Sequence, residues 1–193
     1  MKKFELVAEL SKEFFGCKLF RIRALISFSN VSKGDLGGWV EKEECVDQSG
    51  DAWVYGNARV SGDARVYGNA WVYGNALVSG NAQVSGNARV SGNARVYGNA
   101  QVYGNARVSG DARVSDDAHH ITVSPIGSEG GFLTAFRQKD NSIVVSRGCF
   151  SGSIEEFEKA INATHGDSKY AEQYKIVISL IKSRLEAVEQ SND

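Results

Sequence analysis

The sequence predicts a mainly β protein built around a parallel β-helix of six-residue repeats, with three repeats in each turn. Three observations predict it. Eleven consecutive hexads fill residues 54–119 without an insertion. Within them the first position is always valine, the fifth is always alanine, and the third is glycine in ten of the eleven. The chain also has 21 glycines and one proline, which indicates glycine placed on a period and not a disordered linker.

Each position of the hexad has a physical role in such a coil. Valine is branched at Cβ and suits a short buried strand, and alanine fits a corner with little inward space. Glycine tolerates a positive φ, and the Asn or Asp that follows it tolerates the left-handed region, so we expect both to form the sharp turn. The second and sixth positions flank the valine and therefore point outward.

The pattern divides the chain into three regions. Residues 1–35 form an N-terminal β cap, residues 36–119 form the β-helix, and residues 120–193 form a small C-terminal α+β domain. In the cap, residues 4–7 and 18–26 have the composition of strands with basic outer positions. We expect them to cover the open end of the first coil, because a solenoid needs a cap.

The C-terminal region combines a hairpin with two helices. Residues 131–137 and 142–146 predict the two strands of the hairpin. Ser153 and Glu156 form the capping-box pattern of a first helix, which Gly166 ends. A second helix is predicted from about residue 167 to about residue 189. Its apolar side chains form a seam suited to packing on the hairpin or on another subunit: Tyr174, Ile178, Ile181, Leu185 and Val188.

Because residues eighteen apart stack in a three-sided coil, the outward side chains fall into columns. One face carries an aromatic block followed by two arginines, and a second face carries an arginine column. These residues are our candidate ligand-binding set: Trp53, Tyr55, Trp71, Tyr73, Arg89 and Arg107 on the first face, with Arg59, Arg95 and Arg113 on the second.

Three interpretations of the aromatic block remain open. It can be a subunit interface, since exposed apolar patches usually mark contacts. It can be a stacking platform for a ring or base, with the arginines binding an anionic group. It can also be covered by the flanking segments of this same chain. Stacked arginines repel, so we expect anions or carboxylates of a neighbouring subunit beside them.

The sequence predicts no catalytic residue, no metal site and no cofactor. The glycines are spaced by six, unlike a phosphate-binding loop, and no G-x-S-x-G motif is present. His119 and His120 have no third ligand spaced near them. Cys149 and His165 could form a thiol–imidazole pair, but we expect Cys149 to be a small buried residue. Three cysteines without metal-like spacing indicate reduced thiols in a cytosolic protein.

The V-Y-G-N-A-R and V-S-G-N-A-R hexads resemble those of the hexapeptide-repeat acyltransferases. The resemblance implies a left-handed parallel β-helix and a trimer, together with a histidine base and a coenzyme A site between subunits. No histidine precedes His119, and no loop interrupts the coils. We therefore keep acyltransferase activity only as an alternative.

The whole chain resembles a group of uncharacterised phage and prophage proteins with the same layout. The segments that carry the resemblance are residues 21–25, 34–43, 124–128, 148–152 and 165–167, together with the repeats. It implies the cytoplasm of an infected or lysogenic bacterial host, but the group brings no settled activity, and the expectation of a non-catalytic binding protein rests on the aromatic block and the arginine columns. Sequestration of an anionic small molecule, such as a nucleotide immune signal, is the leading hypothesis, and a structural or protein-docking scaffold is the alternative.

Net charge and composition exclude some classes of binding partner. The net charge is −1, so no nucleic-acid polymer is expected. Charged residues among the first thirteen interrupt any secretory signal, and no stretch reaches the roughly 20 apolar residues of a membrane span. The expected partners are other copies of the chain, most simply in a trimer, and a nucleotide or other anionic small molecule.

Overall fold

A computed structural model describes residues 1–115 and 119–185 of the protein. The chain divides into two compact units, Met1–Asp116 and Asp117–Asp193. The first unit is a β-solenoid that begins with three longer strands, and the second is a small sheet with two helices. Neither helix in the described ranges is long and apolar enough to cross a membrane.

The first unit begins with strands β1 (Phe4–Phe14), β2 (Cys17–Ala24) and β3 (Leu36–Val40), and a short 3-10 helix follows at Glu43–Cys45. Eleven two-residue strands then recur every six residues. They are β4 (Trp53–Val54), β5 (Arg59–Val60), β6 (Arg65–Val66), β7 (Trp71–Val72), β8 (Leu77–Val78), β9 (Gln83–Val84), β10 (Arg89–Val90), β11 (Arg95–Val96), β12 (Gln101–Val102), β13 (Arg107–Val108) and β14 (Arg113–Val114).

The solenoid has three parallel faces, as the hexads predict. One sheet runs β4-β7-β10-β13, a second β6-β9-β12, and the third continues β3-β5-β8-β11-β14. Each strand pairs with the strand eighteen residues further on, so that Trp53 lies beside Trp71 and Arg89 beside Arg107. The predicted columns are therefore confirmed. The left-handed winding stays a prediction.

Valine and alanine fill the inside of the coil. Every repeat valine from Val54 to Val114 is buried, and so are the repeat alanines from Ala58 to Ala112. The backbone N–H groups of one coil donate to the carbonyls of the next, as from Arg59 N to Ala76 O at 2.9 Å. The short strands thus form a continuous hydrogen-bonded wall around an apolar centre.

The turns use the fourth hexad position differently from our expectation. The repeat glycines have positive φ, for example +65° at Gly86. No repeat Asn or Asp of the described ranges does, so the expected left-handed role of this position is wrong. Its amides instead stack along each corner. In one such ladder Asn57 donates to Asn75, Asn75 to Asn93, and Asn93 to Asp111, at 3.4, 3.3 and 3.2 Å between Nδ2 and Oδ1.

The N-terminal segment extends one face of the solenoid. Strands β1 and β2 form an antiparallel hairpin, and β2 pairs antiparallel with β3. Because β3 pairs parallel with β5, the hairpin continues the sheet beyond the first coil. Both predicted strands are present, although β1 extends further than residues 4–7.

The second unit is an antiparallel sheet covered by two helices. The predicted hairpin and capping box are confirmed, and the sheet has two further strands. The elements are β15 (His120–Ile126), β16 (Gly131–Arg137), β17 (Ile143–Arg147), β18 (Phe150–Gly152), α1 (Ile154–His165) and α2 (Lys169–Leu185).

The seam of α2 is used within this unit. Tyr174, Ile178, Ile181 and Leu185 are buried in the core formed by the sheet and α1. Val188 and the predicted helix end near residue 189 lie outside the described residues. The seam is therefore packed on the chain's own sheet, which is the first of the two alternatives that the sequence left open, and it gives no support to a subunit contact.

The asparagine ladder yields a testable prediction. Asn75 accepts from Asn57 and donates to Asn93, whereas Asp111, at the end of the ladder, only accepts. In Asn75→Asp the new carboxylate cannot donate to Asn93, so this hydrogen bond is lost. If the Asn93 amide flipped to donate to the new carboxylate, its oxygen would face the carboxylate of Asp111 and the next hydrogen bond would be lost instead. We expect the free energy of unfolding to fall by about 1 kcal/mol, measured by urea denaturation. The control Asp111→Asn should change it little, and equal losses in the two variants would contradict the ladder.

Candidate functional site

A groove of about 350 Å³ lies on the face formed by β4, β7, β10 and β13. We call it the aromatic groove. Most of its lining comes from the solenoid, and one wall comes from a turn that precedes β3. The lining residues are Ser29, Asn30, Tyr55, Trp71, Tyr73 and Arg89.

The wall is a tight turn over residues 28–31. Phe28 and Val31 exchange two backbone hydrogen bonds, of 3.0 and 2.8 Å, which places Ser29 and Asn30 at the tip. Ser29 has φ of +44°, a conformation that non-glycine residues adopt mainly in turns. Sequence reasoning missed this wall, because a Ser-Asn pair indicates a turn but not the surface against which the turn lies.

Trp53 fixes the turn from beneath. Its ring meets Phe28 edge-on at 5.4 Å and Phe4 at 6.1 Å between centroids, and its side chain is 1% exposed. The expectation that Trp53 belongs to an exposed aromatic block is therefore wrong. The N-terminal segment covers the first coil of this face, so Trp53 supports the groove and is closed to a ligand.

Lys3 ties the same segment to the first coil. Its Nζ donates to the backbone oxygens of Ser49, Gly50 and Ala52 at 3.3, 3.2 and 2.9 Å, and it lies 5.1 Å from the centre of the Phe28 ring. Burial lowers the pKa of Lys3 to about 8, although Asp47 and Asp51 favour the charged form. A buried ammonium thus satisfies three carbonyls at the end of the coil.

The other predicted aromatic residues do line the groove. Tyr55 is 55% exposed, and Trp71 and Tyr73 are half-buried and line the groove. Arg89 follows Trp71 on the next coil and is exposed. Arg89 has no ion pair within residues 1–115 or 119–185. The groove therefore combines three aromatic rings with one uncompensated positive charge.

The remaining predicted arginines lie elsewhere. Arg107 is one coil beyond Arg89 and interacts within the chain. Arg59, Arg95 and Arg113 belong to the sheet that contains β3, so they do not meet the aromatic groove. Arg59 is also partly covered, because its Cζ lies 3.8 Å from the centre of the Phe14 ring. A ligand role for these residues stays a prediction.

The residues considered for catalysis lie in separate settings. Cys149 is exposed in the turn between β17 and β18, so the expectation that it is buried is wrong. His165 is at the end of α1, where its ring stacks on Tyr174 at 5.6 Å between centroids. In the described part of the chain, no three His, Cys, Asp or Glu side chains gather in a way that could hold a metal ion.

Comparison with known protein families finds a match to the repeat region. The family model described as YdcK beta solenoid repeat matches eight overlapping segments: residues 52–68, 58–74, 64–80, 70–86, 82–98, 88–104, 100–116 and 106–119. Together they cover about a third of the chain and include all eleven hexads of residues 54–119. A search of curated proteins finds no match. The likeness to acyltransferases and to phage proteins stays a prediction.

The lowered pKa of Lys3 makes the stability of the protein depend on pH. Its pKa is about 8 in the folded protein and 10.5 in an unperturbed chain, so between these values the unfolded chain binds more protons. Stability from this group therefore rises as pH rises through the window. We expect the unfolding free energy of the wild type to increase relative to Lys3→Met from pH 8 to pH 10.5, followed by urea denaturation. Lys33→Met, in an exposed loop, is the control. Parallel pH curves for the wild type and Lys3→Met would rule out this role.

Proposed function

We propose that this protein acts by binding, and that the aromatic groove takes a small anionic molecule with a ring, of which a nucleotide is the leading class. The observation that carries the proposal is the shared lining of Tyr55, Trp71, Tyr73 and Arg89. Its volume of about 350 Å³ falls within the range of small-molecule sites, which is roughly 300–1,000 Å³.

The chemistry of the lining favours a ring that carries a negative group. Aromatic side chains stack on a base for about 1–3 kcal/mol each, whatever the base. Trp71 and Arg89 are neighbours in one column, so a ring on Trp71 places an attached phosphate toward the guanidinium. Ser29 and Asn30 add polar groups on the opposite wall, where they can bind the edge of the ring.

The proposal includes no reaction. We propose a non-catalytic protein without a cofactor that sequesters its ligand, so that other proteins cannot bind it. From the resemblance to phage proteins, we place this activity in the cytoplasm of an infected or lysogenic bacterium, where a nucleotide immune signal would be the ligand.

A second proposal is a scaffold. A β-solenoid repeat protein of this type fits a structural scaffold. Outward tyrosines occur on the other faces too, including Tyr97 and Tyr103, and exposed aromatic side chains are enriched in protein contacts. A homo-oligomer, most simply a trimer, would use these side chains. Acyltransferase activity is the enzymatic alternative.

The groove can be tested with matched variants. We expect calorimetric titration with cyclic and linear nucleotides to give saturable binding by the wild type, and a small molecule to be released when the purified protein is denatured. Arg89→Ala should weaken binding by about 1.5–3 kcal/mol, because it removes a charged hydrogen bond. Tyr55→Ala should weaken it by about 1–3 kcal/mol, because it removes a stacking surface.

Two controls match these changes in residue type and exposure. Tyr103 occupies the same hexad position as Tyr55 and is 58% exposed, but it lies on another face. Arg95 is exposed on the sheet that contains β3. Tyr103→Ala and Arg95→Ala should leave nucleotide affinity unchanged. No heat with any nucleotide, or equal losses in test and control variants, would reject the groove as the site.

A further inference from the structure

A row of outward side chains crosses the seven-stranded sheet from the hairpin into the solenoid. Cross-strand pairing places Arg21 beside Trp39, Trp39 beside Arg59, and Arg59 beside Leu77, with Arg95 and Arg113 following. The first three members come from β2, β3 and β5. The hairpin thus adds a cation to the arginine column.

Three cations gather around Trp39 at the start of this row. Lys12 Nζ lies 3.9 Å from the centre of the Trp39 ring, and Arg21 Cζ lies 5.1 Å from it. Arg59 is the neighbour of Trp39 on the next strand and stacks under Phe14. We call Lys12, Arg21 and Arg59 the basic cluster.

The basic cluster has no carboxylate partner in the part of the chain that the structure describes. None of its three members forms an ion pair with any residue of 1–115 or 119–185. Glu5, on the same strand as Lys12, pairs with Arg23 instead.

The cluster is also partly dehydrated. The Nε atoms of Arg21 and Arg59 and Nε1 of Trp39 are buried without a hydrogen-bond partner, although each side chain is only half-buried as a whole. Burial lowers the pKa of Lys12, and the charges of Arg59 and Arg21 lower it further. Burial lowers the pKa of Arg59 as well, with a further contribution from Arg95. Holding these charges together without an anion therefore costs free energy.

We infer that the basic cluster is an anion site that binds a tetrahedral phosphate-class oxyanion. The hairpin brings Lys12 and Arg21 to the ring of Trp39, and Arg59 lies on the other side of Trp39 in the same row, so donors from three strands surround Trp39. Two guanidinium forks match the geometry of phosphate oxygens, and the ammonium adds a point charge. A bound dianion would remove the repulsion between the cations and replace their lost hydration.

This site is distinct from the aromatic groove. The basic cluster lies on the sheet that contains β1, β2, β3 and β5, whereas the groove lies on the β4-β7-β10-β13 sheet. Variants in one should leave the other unchanged. Failure of nucleotide binding in the groove would therefore leave the phosphate site standing, and the reverse also holds.

Calorimetric titration with inorganic phosphate tests the inference directly, with glycerol 1-phosphate as a second arm for a phosphate ester. We expect saturable binding that weakens as sodium chloride is raised, because the contact is electrostatic. Stronger binding of the free ion would identify inorganic phosphate as the source, and stronger binding of the ester would identify a phosphorylated metabolite.

Charge-removing variants locate the site. Arg59→Gln should weaken phosphate binding about tenfold or more, because each charged hydrogen bond contributes at least one decade. Lys12→Gln should act in the same direction and keeps the test decisive if Arg59→Gln fails to fold. Arg65→Gln, exposed on the β6-β9-β12 sheet, and Tyr55→Ala, in the groove, should have no effect. No saturable heat at about 10 mM phosphate or ester, or undiminished binding in Lys12→Gln, would overturn the inference.

Discussion

Stacking of equivalent backbone turns at an interval of eighteen residues is the constraint on which the rest of the structure depends. Each coil donates its N–H groups to the next, so a residue at one hexad position always lies beside another at the same position. The turns approach so closely that a Cβ added to Gly86 would lie 2.9 Å from the backbone nitrogen of Gly104. The third position is thus restricted by space as well as by its φ. The outward positions escape this packing, and the sequence varies there.

This constraint explains why the columns could be predicted from the sequence while one reason for them was wrong. A strict period fixes the register, and the pairing of Trp71 with Arg89 follows from it directly. The period does not say why the fourth position is Asn or Asp. Both residues favour turns, but only Asn can donate and accept in a ladder. Aspartate is found where it only accepts: Asp111 accepts from Asn93 at the end of a ladder, and Asp63 accepts from Lys42.

The part of the site that could not be predicted comes from the segments without a period. Trp53 and Trp71 occupy the same hexad position on neighbouring coils, yet only Trp53 is covered by Phe4 and Phe28. Arg59 differs from Arg95 in the same way, because Phe14 lies against it. The cover depends on the pairing of β2 with β3 across a loop of irregular sequence. Such non-local pairing leaves no local pattern, so the groove wall was missed, and Arg59 was a candidate residue without Lys12 and Arg21 beside it.

The spacing of positive charges along the seven-stranded sheet changes where the hairpin joins it. In the row that begins at Arg21, Trp39 and then Leu77 intervene between successive arginines, as far as Arg95. Strands about 4.8 Å apart then place the backbones of successive arginines roughly 10 Å apart, close to the screening length of about 8 Å in physiological salt. The hairpin adds a third charge within this spacing, because Lys12 lies over the ring of Trp39, the residue that separates Arg21 from Arg59. The hairpin that places Phe4 against Trp53 therefore also concentrates positive charge on the next face, in a chain whose net charge is −1.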